Sequence, residues 1–254
     1  MLYVLPYGQM SLWGNYTSPR CNKIIESIFI SFYFIIIYNS SNHIIKRILS
    51  AYRIGPHNYD IMSIIYGSLL GDRHAERRRI GNGTRISFNQ EAKHKEYLLW
   101  IHKIISDLGY CNPTIPVIRS HLKKRGTIHY TIRFHSYTYI SFNEIHSKWY
   151  KNNIKIIPLD IEEYLTPMAI AIWIMDDGSR SGSGLKWRTN SYSYEDCMRL
   201  CQVLCKKYNI KRSVNSAGVP NQYVIYVFKE SMPILRKIVK PHMVSSMLYK
   251  LGEL

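Results

Sequence analysis

Runs of apolar residues and stretches of alternating apolar and polar residues follow one another along the chain, and their order predicts its secondary structure. Residues 61–70 are almost continuously apolar and end at a glycine and an aspartate, which is typical of a buried helix. Residues 84–90 alternate, as in a strand with one solvent-exposed face, and residues 91–108 carry apolar side chains at helical spacing up to Gly109. Residues 127–135 alternate again. The pattern therefore predicts the order helix, strand, helix, strand.

The same order of elements recurs later in the chain. Residues 166–175 form a second apolar run, which ends at two aspartates and a glycine. We predict the further elements of this part as strands at residues 185–192 and 223–228 and helices at residues 193–208 and 232–239. Asp72 and Asp177, at the ends of the two apolar runs, are 105 residues apart. The sequence therefore predicts an α+β fold with two similar halves, at residues 58–157 and 158–254.

Other stretches carry turn or loop signals. Residues 119–126 are predicted as a basic turn, and residues 179–184, which are rich in glycine and serine, as a hairpin tip. Residues 1–57 carry few charges and differ in composition from the rest, so we expect them to be an appendage to the fold. The apolar stretch 27–38 is shorter than the roughly 20 residues that a membrane-spanning helix needs. We therefore expect no stable membrane insertion.

The charge of the chain indicates a polyanionic partner. It contains 34 Lys and Arg against 17 Asp and Glu, which is a formal net charge of +17. This excess is larger than solubility requires, and it favours nucleic acid over an acidic membrane surface. The five cysteines are odd in number and include no Cys-x-x-Cys pair, which argues against a disulfide framework and a zinc ribbon. A hydrophobic content of 46% excludes an intrinsically disordered chain.

The two aspartates suggest a metal site. Gly67 and Gly71 lie four residues apart on one face of the first apolar helix, so a second helix could approach closely and bring Asp72 and Asp177 to the same end. Two neighbouring carboxylates in a basic protein need cations, and oxygen ligands beside a phosphate substrate suit Mg²⁺. Paired metals stabilise both the attacking and the leaving oxygen at phosphorus, so phosphodiester hydrolysis is the natural chemistry. The alternative is that each aspartate only forms a turn after its helix.

Basic and amide side chains on the polar faces of the predicted strands are candidate DNA contacts, because Arg and Asn can read guanine and adenine edges. These residues are Arg85, Asn89, His129, Arg133, Lys186, Arg188 and Asn190. The basic turn adds Lys123, Lys124 and Arg125. We expect the residues of this turn to contact phosphates rather than bases.

Both apolar runs, with their terminal acids, resemble the paired LAGLIDADG motifs of single-chain homing endonucleases. The resemblance covers about residues 60–252. It implies two pseudo-symmetric αββαββα halves in a monomer, with the two motif helices at the internal interface. It also implies that the antiparallel sheets of the halves form a saddle that binds the major groove of double-stranded DNA.

The resemblance further assigns roles to particular residues. It implies four catalytic residues, which are Asp72, Asp177, Lys250 and, by a looser match, Lys155. The two aspartates would bind Mg²⁺, and the two lysines would order the hydrolytic water and stabilise developing charge. The chain departs from the family pattern at two positions. Arg73 stands where Gly or Ala is common, and Asp176 replaces a small residue.

A second resemblance lies at the start of the chain, where residues 3–14 are similar to a stretch of mitochondrial cytochrome b. It implies an intron reading frame that continues from a cytochrome b exon. An exon-like segment would then occupy residues 1–14, and an intron-encoded linker residues 15–57. The abundance of Ile, Tyr and Asn, which have AT-rich codons, is consistent with an organellar gene. The expected location is the mitochondrion.

Three functions are compatible with these features. The first is a Mg²⁺-dependent, site-specific double-strand DNA endonuclease that promotes the mobility of a mitochondrial cytochrome b intron. The second is an RNA maturase that binds its own intron RNA and assists its splicing, with or without nuclease activity. The third is a DNA-binding protein that has lost catalysis, which the presence of both acids disfavours.

Overall fold

In a computed structural model of the protein, the chain is described at residues 2–4, 10–12, 53–79, 82–122 and 126–252. Its contacts divide it into two units, Met1–Ile48 and Leu49–Leu254. In the first unit, the described backbone forms two antiparallel strands, β1 (Leu2–Val4) and β2 (Met10–Leu12). Within the described ranges, no helix is long and apolar enough to cross a membrane, and the apolar stretch 27–38 lies outside those ranges.

The second unit begins with a helix that is followed by two pairs of antiparallel strands. Its first elements are α1 (Tyr59–Leu70), β3 (His74–Arg77), β4 (Thr84–Glu91), α2 (Lys95–Asp107), β5 (Ile118–Leu122), β6 (Ile128–His135) and α3 (Phe142–Trp149). The strands form one antiparallel sheet in the order β3-β4-β6-β5. Phe88 and Phe134 stack on the two central strands, and His102 of α2 packs edge-on against Phe134. Helix α2 therefore covers one face of this sheet.

The remainder of this unit repeats the arrangement. The connection consists of β7 (Tyr150–Lys151), β8 (Ile154–Lys155) and the one-turn helix α4 (Ile161–Tyr164). The second set of elements is α5 (Pro167–Asp177), β9 (Gly178–Ser181), β10 (Gly184–Arg188), α6 (Tyr194–Tyr208), β11 (Arg212–Ser216), β12 (Tyr223–Val227) and α7 (Met232–Val239). Its antiparallel sheet has the order β11-β12-β10-β9, and Trp173 of α5 stacks on Trp187 of β10. Each half is thus αββαββα, which confirms the predicted fold class.

The structure differs from the sequence predictions at three places. The basic turn predicted at residues 119–126 begins as strand β5, whose side chains are all exposed and therefore show no alternation. The hairpin tip predicted at residues 179–184 is mostly strand, because β9 pairs with β10. The strand predicted at residues 185–192 ends earlier, so Asn190 lies beyond it. The predicted phosphate contacts Lys123, Lys124 and Arg125 lie outside the described residues.

Helices α1 and α5 are apolar on nearly every side because they pack against each other in the interior. Asn58 caps α1 by accepting from the Asp60 N–H, and Thr166 caps α5 by accepting from the Ala169 N–H. Ala169 lies directly against Gly67. An ideal Cβ at Gly67 would stand 2.5 Å from the Ala169 carbonyl oxygen and 2.6 Å from its Cα, which is too close for any side chain. The close approach expected at Gly67 is therefore confirmed.

Replacing Gly67 with Ala should lower the free energy of unfolding by about 1–3 kcal/mol, because the methyl group forces the two backbones apart in a closely packed interior. Urea unfolding followed by circular dichroism measures this change. Gln202→Ala, at an exposed position of α6, is the control and should change stability by less than about 0.5 kcal/mol. A Gly67→Ala protein as stable as the wild type would contradict the contact.

Candidate active site

The aspartates at the ends of α1 and α5 lie together. Successive contacts of Ser63 with Thr166 and of Gly67 with Ala169 show that the two helices run in the same direction. Their C-termini therefore meet at one end of the interface. There Asp72 and Asp177 line one cavity of about 1030 Å³. Asp72 is exposed and Asp177 is half-buried, and both residues line this cavity.

The surroundings of Asp177 disfavour its charge. Burial raises the pKa of Asp177 to about 8, and the neighbouring charges of Asp72 and Asp176 act in the same direction. A cation bound at this place would reverse that effect by favouring the ionised carboxylate. The chemistry of the site is therefore suited to a positively charged ligand.

The oxygen atoms around the two acids indicate what kind of cation the site could bind. Among the described residues, no group of three or more His, Cys, Asp or Glu side chains is arranged to hold a metal ion. A cation would therefore rest on Asp72 and Asp177, with backbone or water oxygens and a substrate phosphate completing its coordination. This set suits a hard divalent cation, which takes oxygen ligands and can keep several waters when one or two carboxylates and a phosphate hold it.

Two lysines occupy equivalent positions at the ends of the two motif helices, where each ammonium group donates to three backbone carbonyl groups. For the Nζ of Lys155, the acceptors are Leu69, Gly71 and Arg73, at 2.9, 3.0 and 2.8 Å. For the Nζ of Lys250, the acceptors are Ile174, Met175 and Asp176, at 3.2, 2.6 and 3.0 Å. Both lysines therefore cap a helix C-terminus, where positive charge is favourable.

These contacts limit what the lysines can do. Burial lowers the pKa of Lys155 to about 8, although the charge of Asp177 opposes the shift, and burial likewise lowers the pKa of Lys250. An ammonium group has three donors, and here carbonyl oxygens accept from all of them. Each lysine is thus a fixed positive charge beside the acids, which is suited to stabilising negative charge. Ordering a water molecule, the other role expected of them, would require the exchange of a carbonyl hydrogen bond.

The two departures from the family motif contact each other. An amino nitrogen of Arg73 lies 3.1 Å from Oδ1 of Asp176, and the two side chains are 1% and 0% exposed. Arg73 also donates to the carbonyl of Asn89 on β4. Room for the Asp176 carboxylate exists only because Gly71 has no side chain, since an ideal Cβ there would lie 2.5 Å from the Asp176 Cβ. The bulky arginine and the extra acid therefore compensate each other across the interface of the halves.

Two buried tyrosines, which the sequence did not single out, link the halves at the same level. The Tyr192 hydroxyl of the second half donates to the carbonyls of Leu69 and Leu70 at 3.0 and 3.2 Å. The Tyr97 hydroxyl of the first half donates to the carbonyl of Ile172 at 3.4 Å. Each half thus holds the last turns of the other half's motif helix. In the sequence, both residues look like ordinary core aromatics.

The predicted base-reading side chains lie at exposed or half-buried positions, and the set comprises Arg85, Asn89, His129, Arg133, Lys186, Arg188 and Asn190. Asn89 lies directly opposite Arg133 in the pairing of β4 with β6. Arg188 and Asn190 line the cavity of the acids, together with Arg180, which the sequence pattern did not indicate as a site residue. The structure therefore brings two of the predicted residues to the acids and distributes the others over the sheets.

An acid on the first sheet holds one of these arginines. Arg85 contacts Oε2 of Glu76 through two nitrogens at 2.8 and 2.7 Å, and Arg78 contacts Oε1 at 3.0 Å. Burial raises the pKa of Glu76, but the hydrogen bonds from Arg85 and Arg78 outweigh this and lower it overall. The guanidinium of Arg85 is therefore oriented by its cross-strand neighbour before any ligand binds.

A double-mutant cycle tests the buried pair. Arg73→Met and Asp176→Ala should each lower the free energy of unfolding by about 3–5 kcal/mol, because each leaves an uncompensated buried charge. The double variant should lose much less than the sum, since it removes both charges together. Urea unfolding of the four proteins measures the coupling. Additive losses would show that the two side chains do not interact in the folded protein.

The fold and the motifs agree with known proteins. The model of the LAGLIDADG DNA endonuclease family matches residues 62–235. The chain is similar to the homing endonuclease I-WcaI in the structure bound to its DNA recognition sequence, with a TM-score of 0.66 and 21% identity, covering 78% of this chain and 94% of that one. This likeness supports the fold.

Relatives at the sequence level cover most of the chain. Cytochrome b mRNA maturase bI2 of Saccharomyces cerevisiae is 42% identical over an alignment of 290 positions, which covers 99% of this chain and 69% of the relative. The maturase of the same name in Debaryomyces hansenii is 47% identical over 198 residues, 78% of this chain and 76% of the relative. The intron-encoded endonuclease ai4 of Dictyostelium discoideum is 35% identical over 60% of this chain and 98% of its own length. The chain belongs to the LAGLIDADG DNA endonuclease family, in its two-motif form.

Proposed function

We propose that the protein is a divalent-metal-dependent endonuclease that cuts both strands of a specific DNA site. The observation that carries this proposal is the pair of carboxylates, Asp72 and Asp177, in one cavity at the ends of two packed helices. Hydrolysis of a phosphodiester needs anionic oxygens that hold a cation at the phosphate, and positive charge that stabilises the transition state. The acids supply the first, and the buried lysines supply the second.

The contacts of the individual residues support the roles that we propose for them. Mg²⁺ held by Asp72 and Asp177 would stabilise the attacking and leaving oxygens at phosphorus. Lys155 and Lys250, each fixed by three carbonyl groups, would offset the negative charge that develops at the phosphate. Each half contributes one acid and one lysine. A single chain therefore holds the groups for two strand cuts, and we expect it to act as a monomer.

The sheets would bind the DNA. A net charge of +17 attracts a duplex, and the exposed faces of β4, β6 and β10 offer arginine and amide donors that suit base edges. Asn89 and Arg133, side by side on the first sheet, can contact neighbouring bases. Because the two halves carry different side chains on equivalent strands, the preferred target should be asymmetric.

The biological role that we propose is the mobility of a cytochrome b intron in the mitochondrion. Support comes from the cytochrome b-like residues 3–14 at the start of the chain. It also comes from relatives that are named for cytochrome b mRNA in two yeasts. Cleavage of an allele that lacks the intron would allow the intron to be copied into it.

A second function, assistance in the splicing of its own intron RNA, is favoured by a separate observation. The two relatives that are 42% and 47% identical to this chain are both named maturases. Binding RNA need not involve the metal-binding acids, so one chain can perform both functions. A splicing assay on the intron transcript distinguishes them, since variants of the acids should lose cleavage and keep splicing.

Asp72→Asn and Asp177→Asn should each reduce DNA cleavage by roughly 10²-fold or more while leaving DNA binding intact. A neutral amide cannot supply the anionic oxygen that holds the metal. The assay uses a duplex that spans the joined cytochrome b exons, with and without Mg²⁺. Asp107→Asn, an exposed acid paired with Lys103, is the matched control and should cleave like the wild type. Full cleavage by either active-site variant would remove that acid from the mechanism.

Replacing Arg133 or Arg188 with Ala should weaken DNA binding by about 1–3 kcal/mol and relax the preference at particular base pairs, because both guanidinium groups are exposed on sheet strands. Replacing Lys123 should instead weaken binding to all sequences equally and reduce the salt slope by about one. Binding to a library of randomised duplexes at several salt concentrations measures both effects. Unchanged specificity in the strand variants would contradict DNA reading by the sheets.

A further inference from the structure

The outer surface of the second half carries a stripe of positive charge that the proposed cleavage reaction does not use. Between residues 229 and 240 the chain has four basic side chains and one acid, Glu230. The basic residues are Lys229, Arg236, Lys237 and Lys240. They surround α7, which buries Met232, Leu235 and Val239 toward the core. The charged side of this helix therefore faces solvent.

Three neighbouring cavities connect this stripe to the acids. The active-site cavity shares Arg180 with a second cavity of about 290 Å³, which also contacts Lys229. The second cavity shares Pro233 and Arg236 with a third, of about 430 Å³. We call this path the basic track, and its residues are Arg180, Lys229, Arg236, Lys237 and Lys240. It leads from the acids, past the edge strand β9, and along α7.

The walls of the basic track are held in place. The Nε of Arg180 donates to the carbonyl of Gly182 at 3.2 Å, and the same side chain packs against Gly252. Arg236 donates through two nitrogens to the carbonyl of Leu251, at 3.2 and 2.8 Å. These arginines are therefore preorganised charges, whereas Lys229 and Lys237 are exposed on the rim. A basic groove with two fixed arginines and exposed lysines suits a chain of phosphates.

The path of the basic track favours a flexible polyanion over a stiff one. Strand β9 is the edge of the second sheet, and the track passes from this edge onto the helical layer. A duplex lying on the exposed sheet faces would have to bend sharply to follow such a turn, because double-stranded DNA has a persistence length of roughly 150 base pairs and bending it within one site costs free energy. RNA with single-stranded or looped segments can bend along it. We propose that the basic track binds the sugar-phosphate backbone of RNA, an inference that rests on the proposed splicing function.

The experiment compares RNA and DNA binding by the full-length chain. The test variant is Lys229→Ala/Lys237→Ala, which leaves the wall arginines intact. The control variant, Lys103→Ala/Lys206→Ala, removes the same charge from exposed lysines elsewhere. The probes are a transcript of the intron that encodes the chain and a duplex of the joined exons. Dissociation constants are measured over a range of salt concentrations, and circular dichroism verifies that each variant folds.

The test variant should bind the transcript about tenfold more weakly, with a salt slope lower by about 1.4, and should bind the duplex like the control. If the wild type does not bind the transcript, the splicing function is wrong and the inference fails with it. If the wild type binds but the test variant matches the control, the splicing function stands and the basic track is wrong. Equal weakening on the transcript and the duplex would overturn the assignment to RNA.

Discussion

The close contact between α1 and α5 is the constraint on which the rest of the structure depends. Gly67 and Ala169 let the two backbones touch, and apolar side chains on nearly every side keep both helices in the interior. Because the helices run in the same direction, their C-termini meet, and each end carries aspartate. The position of the cavity and the pairing of the halves both follow from this packing.

Such a meeting of helix ends concentrates negative charge. The last carbonyl groups of each helix carry partial negative charge, and three carboxylates lie among them, those of Asp72, Asp176 and Asp177. Three basic side chains compensate this charge. Lys155 and Lys250 donate to the carbonyl groups, and Arg73 forms an ion pair with Asp176. The Asp176 side chain is fully buried, whereas Asp72 is exposed and Asp177 is half-buried. The protein thus compensates its own backbone carbonyl groups first, and Asp72 and Asp177 are the acids that the proposed cation would contact.

Much of the fold was predictable because helices and central strands bury one face and therefore show a clear period. Strand β5 was not predicted because its side chains are all exposed and show no alternation. It forms because its backbone pairs with the free edge of β6. The meeting of Asp72 and Asp177 was predictable from the repetition of an acid at the end of each apolar run. The hydrogen bonds of Tyr97 and Tyr192 were not, because they join residues that are far apart in sequence. Arg73 and Asp176 were visible as departures from a motif, but only the structure shows that they pair.

The two halves share the same order of helices and strands but carry different side chains. One pair of equivalent strand positions shows this difference. On the first sheet Glu76 lies opposite Arg85, and their side chains form an ion pair. The equivalent position on the second sheet pairs Ser181 with Gly184, where no guanidinium is available. A duplex lying across both sheets would meet an oriented arginine at this position of the first sheet and a serine and a glycine at that of the second. The asymmetric target that we propose rests on such differences between side chains, because the two halves share one order of helices and strands.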